Sequence, residues 1–305
     1  MKGQLENIFV YTFYRFKDLE NIKNIKKEFD IFLKKYAVKG TILLASEGIN
    51  GSLSGDQKDL NIIIKFIKSK LNIRILDIKV NKTNFFPFNR MKVRLKKEIV
   101  SLGKGKIDVN KLKGNLISPK DWNKIISDKK TKIIDVRNNF EICIGRFANS
   151  LSPKTNSFRE FPDSIKKMKI NKKDRIAMYC TGGIRCEKAS AFMKMQGYNN
   201  VVQLDGGIIK YLDYHNKKNM VSLWNGECFV FDGRVTVNKK LLKGKYLQCY
   251  GCRRPIKPSD TKSKLYKKGV NCPYCFKERT LLQKNKSLSR QRQIEINKKK
   301  GLKFP

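Results

Sequence analysis

The chain predicts an α/β protein: an open parallel-sheet domain in the middle, a small ferredoxin-like α+β domain before it and a short cysteine-rich segment after it. Three observations carry this. Apolar runs at 132–136, 175–179 and 201–204 alternate with stretches of helical spacing, as strands buried on both faces of a parallel sheet do. Residues 1–95 mix strand-like runs with two amphipathic helices. Two Cys-x-x-Cys pairs, Cys249/Cys252 and Cys272/Cys275, lie near the end.

In the first domain, 8–14 is rich in β-branched and aromatic residues and reads as a strand. Ile22, Ile25, Phe29, Phe32 and Leu33 recur at helical spacing within 19–36. A strand at 40–45 follows. Glu47-Gly48-Ile49-Asn50-Gly51 reads as a turn, either a hairpin needing positive φ or a nest of amides for an anion, with the next strand starting at 52–54. Leu60, Ile63, Phe66 and Ile67 mark a second helix over 59–71, and strands are expected at 75–80 and 91–95.

Residues 96–117 are charged and punctuated by glycine, and read as a linker or a strand crossing between domains. The central domain is expected over 118–223. Pro119 and Asp121 suit a helix start; a helix over 187–195 turns Ala189, Phe192 and Met193 inward; Gly206-Gly207 opens another. The last segment, 224–305, holds Cys228, the paired cysteines and a tail from Leu281 with eight basic side chains against one acid, Glu295. That tail reads as a frayed helix along RNA or as a solvated extension.

No apolar run reaches the roughly 18 to 20 residues that span a bilayer, and Glu6 interrupts the N-terminus, so a cytoplasmic protein without a secretory signal is expected. The net charge of +42 suits a polyanion, nucleic acid first, although a lysine-rich coding bias produces the same balance. Eight cysteines in a cytoplasmic chain point to metal or catalysis before disulfides. The single histidine, His215, excludes a two-histidine iron site within one subunit.

The sharpest chemical signal is Tyr179-Cys180-Thr181-Gly182-Gly183-Ile184-Arg185-Cys186, between a strand and a helix. A loop feeding a helix N-terminus aims several amides at one point, and glycines let the backbone curl there. With Arg185 adding positive charge, Cys180 is expected to have a depressed pKa and to carry a thiolate, a persulfide or another oxidised sulfur. Cys186 either resolves an oxidised Cys180 or packs beneath the loop.

A second signal is Ile133-Ile134-Asp135-Val136-Arg137, with Glu141 four residues on and then Gly145, Ala148 and Pro153. With the cysteine loop it resembles the rhodanese superfamily, which implies a rhodanese-like parallel sheet in which Asp135 and Arg137 are structural. The resemblance extends to Glu47–Gly51, to Phe158-Arg159-Glu160-Phe161-Pro162, to the loop continued as Glu187-Lys188-Ala189-Ser190, to the paired cysteines and to Arg290-Gln291-Arg292-Gln293. Together, over about 8–297, these are similar to the bacterial tRNA uridine hydroxylase family. The resemblance implies hydroxylation of uridine 34 of tRNA to 5-hydroxyuridine, molecular oxygen as co-substrate and Cys180 as the active-site residue; it names no electron donor.

Cys249, Cys252, Cys272 and Cys275 can place four thiolates around one structural Zn²⁺, leaving no open position. An iron–sulfur cluster or disulfides use the same residues. Tyr246, Tyr250, Tyr266, Tyr274 and Phe276 interleave with basic residues there, as base-stacking platforms or as a small core. The competing function is a persulfide-carrying sulfurtransferase, which the loop suits equally; a third is an RNA-binding module without catalysis. Which tRNAs are used, the route of hydroxylation and the oligomeric state stay open at this level.

Overall fold

The first strand alternates between two destinations. In β1 (Ile8–Phe16), Phe9, Tyr11 and Phe13 pack into one core, while Tyr14 and Phe16 join a different one. The structure, a computed structural model, describes residues 8–301; Glu6 and the last four residues of the basic tail lie outside them. The contacts divide into two compact units, Met1–Leu242 and Lys243–Pro305.

The first unit begins β1, α1 (Ile22–Leu33), β2 (Lys39–Ala45), β3 (Gly48–Gly55), α2 (Gln57–Lys70), β4 (Asp77–Thr83) and β5 (Met91–Leu95). The strand order is β4-β1-β3-β2-β5, a ferredoxin-like sheet with β5 added parallel to β2. Asp56 starts α2 by accepting the Lys58 amide at 2.7 Å. Phe29 and Leu33 of α1 and Leu60, Ile63 and Ile67 of α2 bury against Phe13, Ile42 and Leu53. Each such side chain contributes roughly 1.5–3 kcal/mol. Both helices therefore cover one sheet face, and the other is left for the rest of the unit.

The expected turn at 47–51 is corrected. Ala45 pairs with Gly48, so the hairpin loop is Ser46-Glu47 alone and Gly48 already belongs to β3. Its strand lies between β1 and β2, whose ladders engage its backbone, so no anion nest forms. The glycines answer a packing demand instead. A Cβ on Gly48, at φ 142°, would sit 2.1 Å from the Arg15 carbonyl oxygen, and one on Gly51 would sit 2.6 Å from the Phe13 ring.

Beyond β5 come α3 (Val109–Leu112), β6 (Asn115–Ile117), α4 (Pro119–Ser127), β7 (Thr131–Asp135), α5 (Asn139–Ile142), β8 (Gly145–Phe147), α6 (Phe161–Lys167), β9 (Arg175–Tyr179), α7 (Ile184–Met195), β10 (Val201–Leu204) and α8 (Gly207–Lys217). The four-stranded sheet runs β6-β10-β9-β7, all parallel. The stretch read as a linker thus ends in an edge strand, and Ile99, Leu102, Ile107 and Val109 within it are buried. Ser118 caps α4 ahead of Pro119. Helix α7 begins at Ile184, so Ile184, Arg185 and Cys186 form its first turn rather than part of the loop. It is buried from Arg185 to Met193, because Tyr14, Phe16 and Ala45 pack on it as the sheet does.

The boundary expected at 224 is also corrected. Trp224 opens β11 (Trp224–Gly226), which pairs antiparallel with β8, and β12 (Cys228–Phe229) pairs with β13 (Thr236–Val237). Trp224 is fully buried at 5.2 Å from the Phe147 ring, with the Arg137 guanidinium 5.0 Å from its own. These residues complete the first unit's core, which extends to Leu242. The single histidine belongs to it: His215 is buried, donates from Nδ1 to the Tyr211 carbonyl at 2.9 Å and lies against the Tyr211 ring.

The second unit holds the short hairpin β14 (Leu247–Gln248) and β15 (Pro255–Ile256), the four paired cysteines and α9 (Leu281–Lys299). The tail is a capped helix over that span: Thr280 and Gln283 exchange side-chain and backbone hydrogen bonds at its start. No helix among the described residues is long and apolar enough to cross a membrane.

Candidate active site

Cys180 follows β9, and its sulfur lies under the turn that starts α7. Gly183 takes φ 99°, open to glycine, and its amide donates to Cys180 Sγ at 3.2 Å. A Cβ on Gly183 would also sit 2.8 Å from the Tyr14 hydroxyl. Gly182 differs: its φ is not positive and a Cβ would meet nothing within 4 Å, so its bareness leaves space beside the sulfur rather than permitting the curl. From behind, the amides of Ile208 and Ile209 at the start of α8 take the carbonyls of Cys180 and Thr181 at 2.9 and 3.1 Å.

Burial alone would push the Cys180 thiol up. The Cys186 thiol, the Arg185 charge and the amides of Cys186 and Gly183 outweigh it and hold the pKa at about 6. Cys186 is fully buried and its own pKa is pushed well up, by burial first and then by Cys180, so it remains a neutral S–H donor beneath the thiolate. Cys228, also buried, is pushed up to about 12. The alkylation rate of Cys180 is therefore expected to fall as pH drops through about 6 and to stay flat above it, where an ordinary thiol, near 8.5, is still titrating. Iodoacetamide labelling across pH 5 to 9, read by peptide mass spectrometry, measures this; a midpoint in the ordinary thiol range contradicts it.

Arg185 is itself held. Glu141, fully buried, accepts from Arg185 Nη1 and Nη2 at 2.6 and 2.8 Å, and from the Asn138 amide at 3.1 Å. Burial raises the Glu141 pKa, and the guanidinium of Arg185 more than reverses this. Asp135 and Arg137 stitch the adjoining strand end: Arg137 is fully buried, bonded to Asp135 and to the carbonyls of Glu141 and Gly145. Neither residue lines the cavity described next.

The first domain closes over the loop. Lys188 of α7 is buried and donates to Glu47 at 2.6 and 2.9 Å, to Glu98 at 2.6 Å and to the Val100 carbonyl at 3.1 Å. Tyr14 donates to Glu187 at 3.0 Å. Glu187 and Lys188 of the motif's extension thus fix the neighbouring domain, while Ser190 Oγ takes the Gly114 amide at 2.8 Å ahead of β6 in its own sheet.

Between them lies a cavity of about 490 Å³, in the size range of small-ligand sites. Cys180 is fully buried and is one of the residues bordering this cavity. The walls include Thr181, Gly182, Ile184 and Arg185; the sheet residues Thr12, Thr41, Asn50, Ser52, Lys79 and Asn81; and Phe231, Asp232 and Arg234 after β12. Of the loop residues singled out in the sequence, Gly183 and Cys186 contact the sulfur but not the cavity. The sheet residues and 231–234 escaped the reading. The sheet residues' signal was a polar alternation in β3 and β4, which in an isolated domain means a solvated face.

Comparison with known proteins follows this division. A family model described as the UPF0176 acylphosphatase like domain matches residues 8–99, and one for the rhodanese-like domain matches 118–213. A tRNA uridine(34) hydroxylase of Pelagibacter ubique (strain HTCC1062) is 46% identical over 295 residues, 96% of each chain. The chain belongs to the tRNA uridine(34) hydroxylase family. A second member, from Agrobacterium fabrum, is 43% identical over 293 residues, 96% of this chain and 93% of that one. A solved rhodanese-related protein from Thermoplasma volcanium is 27% identical over 33% of this chain and 92% of its own, with a TM-score of 0.28. For this hydroxylase-family chain the rhodanese-like domain supplies the cysteine loop, Asn138, Phe158 and Ile209 to the site, and the remaining walls lie outside it.

In the second unit, the Sγ atoms of Cys249, Cys252, Cys272 and Cys275 lie within 4.8 Å of one another. Neighbouring pairs are 3.7 to 3.9 Å apart. Tetrahedral thiolates at a metal–sulfur distance of about 2.3 Å are separated by about 3.8 Å. The four residues therefore fit one metal ion with a closed coordination shell.

Proposed function

We propose that this chain hydroxylates uridine 34 of tRNA to 5-hydroxyuridine, with the Cys180 thiolate as the reacting group. The carrying observation is a thiol held near pKa 6 at the wall of a cavity large enough for a nucleobase. The tRNA uridine(34) hydroxylases that match 96% of the chain support the substrate. A flipped pyrimidine entering this cavity presents C6 to the sulfur. Addition of the thiolate to C6 moves electron density to C5 and the O4 carbonyl, so that C5 becomes the nucleophile toward oxygen. Loss of the C5 proton and expulsion of the thiolate restore the double bond. With molecular oxygen as co-substrate, one atom enters the base and the other leaves as water, taking two electrons and two protons from a reductant outside this chain.

The basic balance, 68 Lys and Arg against 26 Asp and Glu, suits a tRNA partner and a strong dependence on salt. Work on tRNA supports a cytoplasmic location. The first test is reconstitution: purified chain, unmodified tRNA, oxygen and a reductant, with nucleosides read by mass spectrometry. Formation of 5-hydroxyuridine at position 34 is expected. Rapid thiocyanate release from thiosulfate and cyanide, without 5-hydroxyuridine, would establish the persulfide-carrying sulfurtransferase instead.

The four-cysteine cluster we assign to structural zinc, with Cys249, Cys252, Cys272 and Cys275 as ligands and 243–305 as the unit it holds. Elemental analysis is expected to return about one zinc per chain, the stoichiometry of a four-thiolate site. Cys252→Ser is expected to lower that content severalfold and to make 243–305 sensitive to proteolysis; iron in place of zinc would overturn the assignment.

A further inference from the structure

The cavity beside Cys180 is lined by hydrogen-bonding groups that the protein leaves unused. Among the described residues, six buried side-chain N or O atoms lack a hydrogen-bond partner, and three of them, Lys79 Nζ, Arg234 Nη1 and Asn138 Oδ1, belong to residues lining this cavity. A buried polar atom without a partner costs about 1–3 kcal/mol, so such a cluster calls for an explanation.

Two internal comparisons show that the chain satisfies equivalent groups elsewhere. Asp135-Val136-Arg137 and Asp232-Gly233-Arg234 form the same turn: the arginine amide donates to the aspartate at 3.1 and 2.9 Å, Nε at 2.9 and 3.0 Å, and Nη2 at 2.6 Å in both. Arg137 Nη1 then reaches the Glu141 carbonyl at 3.3 Å, whereas Arg234 Nη1 reaches nothing. The two buried lysines differ likewise. Lys188 Nζ donates to two carboxylates and a carbonyl. Lys79 Nζ has only the Asp77 carboxylate at 2.6 Å and the Tyr14 ring at 4.5 Å, which leaves donor capacity on an ammonium with three N–H groups. In both pairs the saturated member is away from the cavity and the unsaturated member lines it. Asn138 Oδ1 faces the Glu141 amide as in a capping box, but that amide donates to the Asn138 carbonyl at 2.9 Å, so Oδ1 keeps acceptor capacity.

Two donors and one acceptor are what the edge of uracil requires, since O2 and O4 accept and N3–H donates. Cytosine presents an amine where uracil has O4, and an acceptor at N3. We infer that Lys79 and Arg234 receive the two carbonyl oxygens of the target base, with Asn138 taking its N3–H, and that these residues make the site select uracil over cytosine. The inference rests on the hydroxylase reading for the identity of the substrate. Arg234 is held rigidly by the Asp232 pair, both residues nearly fully buried. Burial pulls the Lys79 pKa below its ordinary value against the pull of Asp77, so its charge is poorly solvated and gains from a substrate oxygen. Sites that hydrogen-bond a substrate edge reject analogues lacking the match more strongly than apolar pockets do.

The test compares two anticodon stem-loop RNAs that differ only in U or C at position 34, bound to full-length protein carrying Cys180→Ser, by fluorescence anisotropy. The parent is expected to bind the U34 RNA about tenfold tighter or more, one good hydrogen-bonded pair being worth about 1–3 kcal/mol. Lys79→Met in that background is expected to bring U34 binding down to the C34 level while C34 binding stays within about twofold, a change below about 0.5 kcal/mol. Arg234→Lys, which keeps the Asp232 ion pair and so tests the point even if the first variant folds poorly, is expected to act in the same direction. Equal weakening toward both RNAs would mean a phosphate contact and overturn the inference, as would unchanged binding or a parent without preference. The hydroxylation assay on unaltered protein is read separately. Product without base preference sinks this inference alone, and preference without product sinks the hydroxylase reading alone.

Discussion

Cys180→Ser is expected to reduce formation of 5-hydroxyuridine by about 10³-fold or more, while tRNA binding changes by less than about twofold. The serine hydroxyl occupies nearly the same volume and can accept the Gly183 amide as the sulfur does at 3.2 Å. It cannot become an anion at neutral pH, and the positive surroundings that hold the thiol near 6 do not bring an alcohol into that range. The substitution thus separates binding from reaction. Nucleoside mass spectrometry of tRNA from a deletion strain carrying either form reads the outcome. Undiminished 5-hydroxyuridine with the serine form would remove Cys180 from the chemistry.

The second large effect concerns Arg185. Arg185→Met leaves the Glu141 carboxylate fully buried, with the Asn138 amide at 3.1 Å and the Thr181 hydroxyl at 3.4 Å but no close positive partner on the loop. Breaking one side of a buried ion pair costs roughly 3–5 kcal/mol. The same change removes a positive charge from the sulfur, so the thiol moves up from about 6 toward its ordinary range. Its thiolate fraction at pH 7 drops accordingly, and the acid limb of the alkylation profile shifts to higher pH. Adding Glu141→Gln to Arg185→Met is expected to recover most of the stability and none of the thiol shift, since the lost cation is not replaced. Urea denaturation and pH-dependent alkylation of both variants measure the two effects. A single variant as stable as the parent, or an unshifted profile, would show that the pair does not organise the loop.

How the site became visible differs from residue to residue. Cys180, Gly183 and Arg185 were legible because their roles are local: strand, loop and helix start are contiguous, and the amide of residue 183 reaches the sulfur of residue 180 along one turn. Glu47–Gly51 was legible as a hairpin with a positive φ, which Gly48 takes, but not as a packing site. Its glycines are demanded by Arg15 and Phe13 of a neighbouring strand, and Glu47 meets Lys188 across 141 residues of chain. Lys79 carries no motif, and the Asp-x-Arg step of Arg234 does not announce a site; each is one basic residue in a chain with 68.

By itself, the order of residues determined the α/β class, the run of strands and helices, the reactive loop and the four-thiolate cluster, because periodicity and short spacings are properties of neighbouring residues. Only the tertiary structure decided that the polar face of the first sheet walls the cysteine's cavity, that the core of the first unit runs to Leu242 and that Lys188 joins two domains. The physical reason is that a polar strand face reads the same whether water or another domain lies against it, and burial is settled by residues more than a hundred positions away, as between Tyr14 and Glu187.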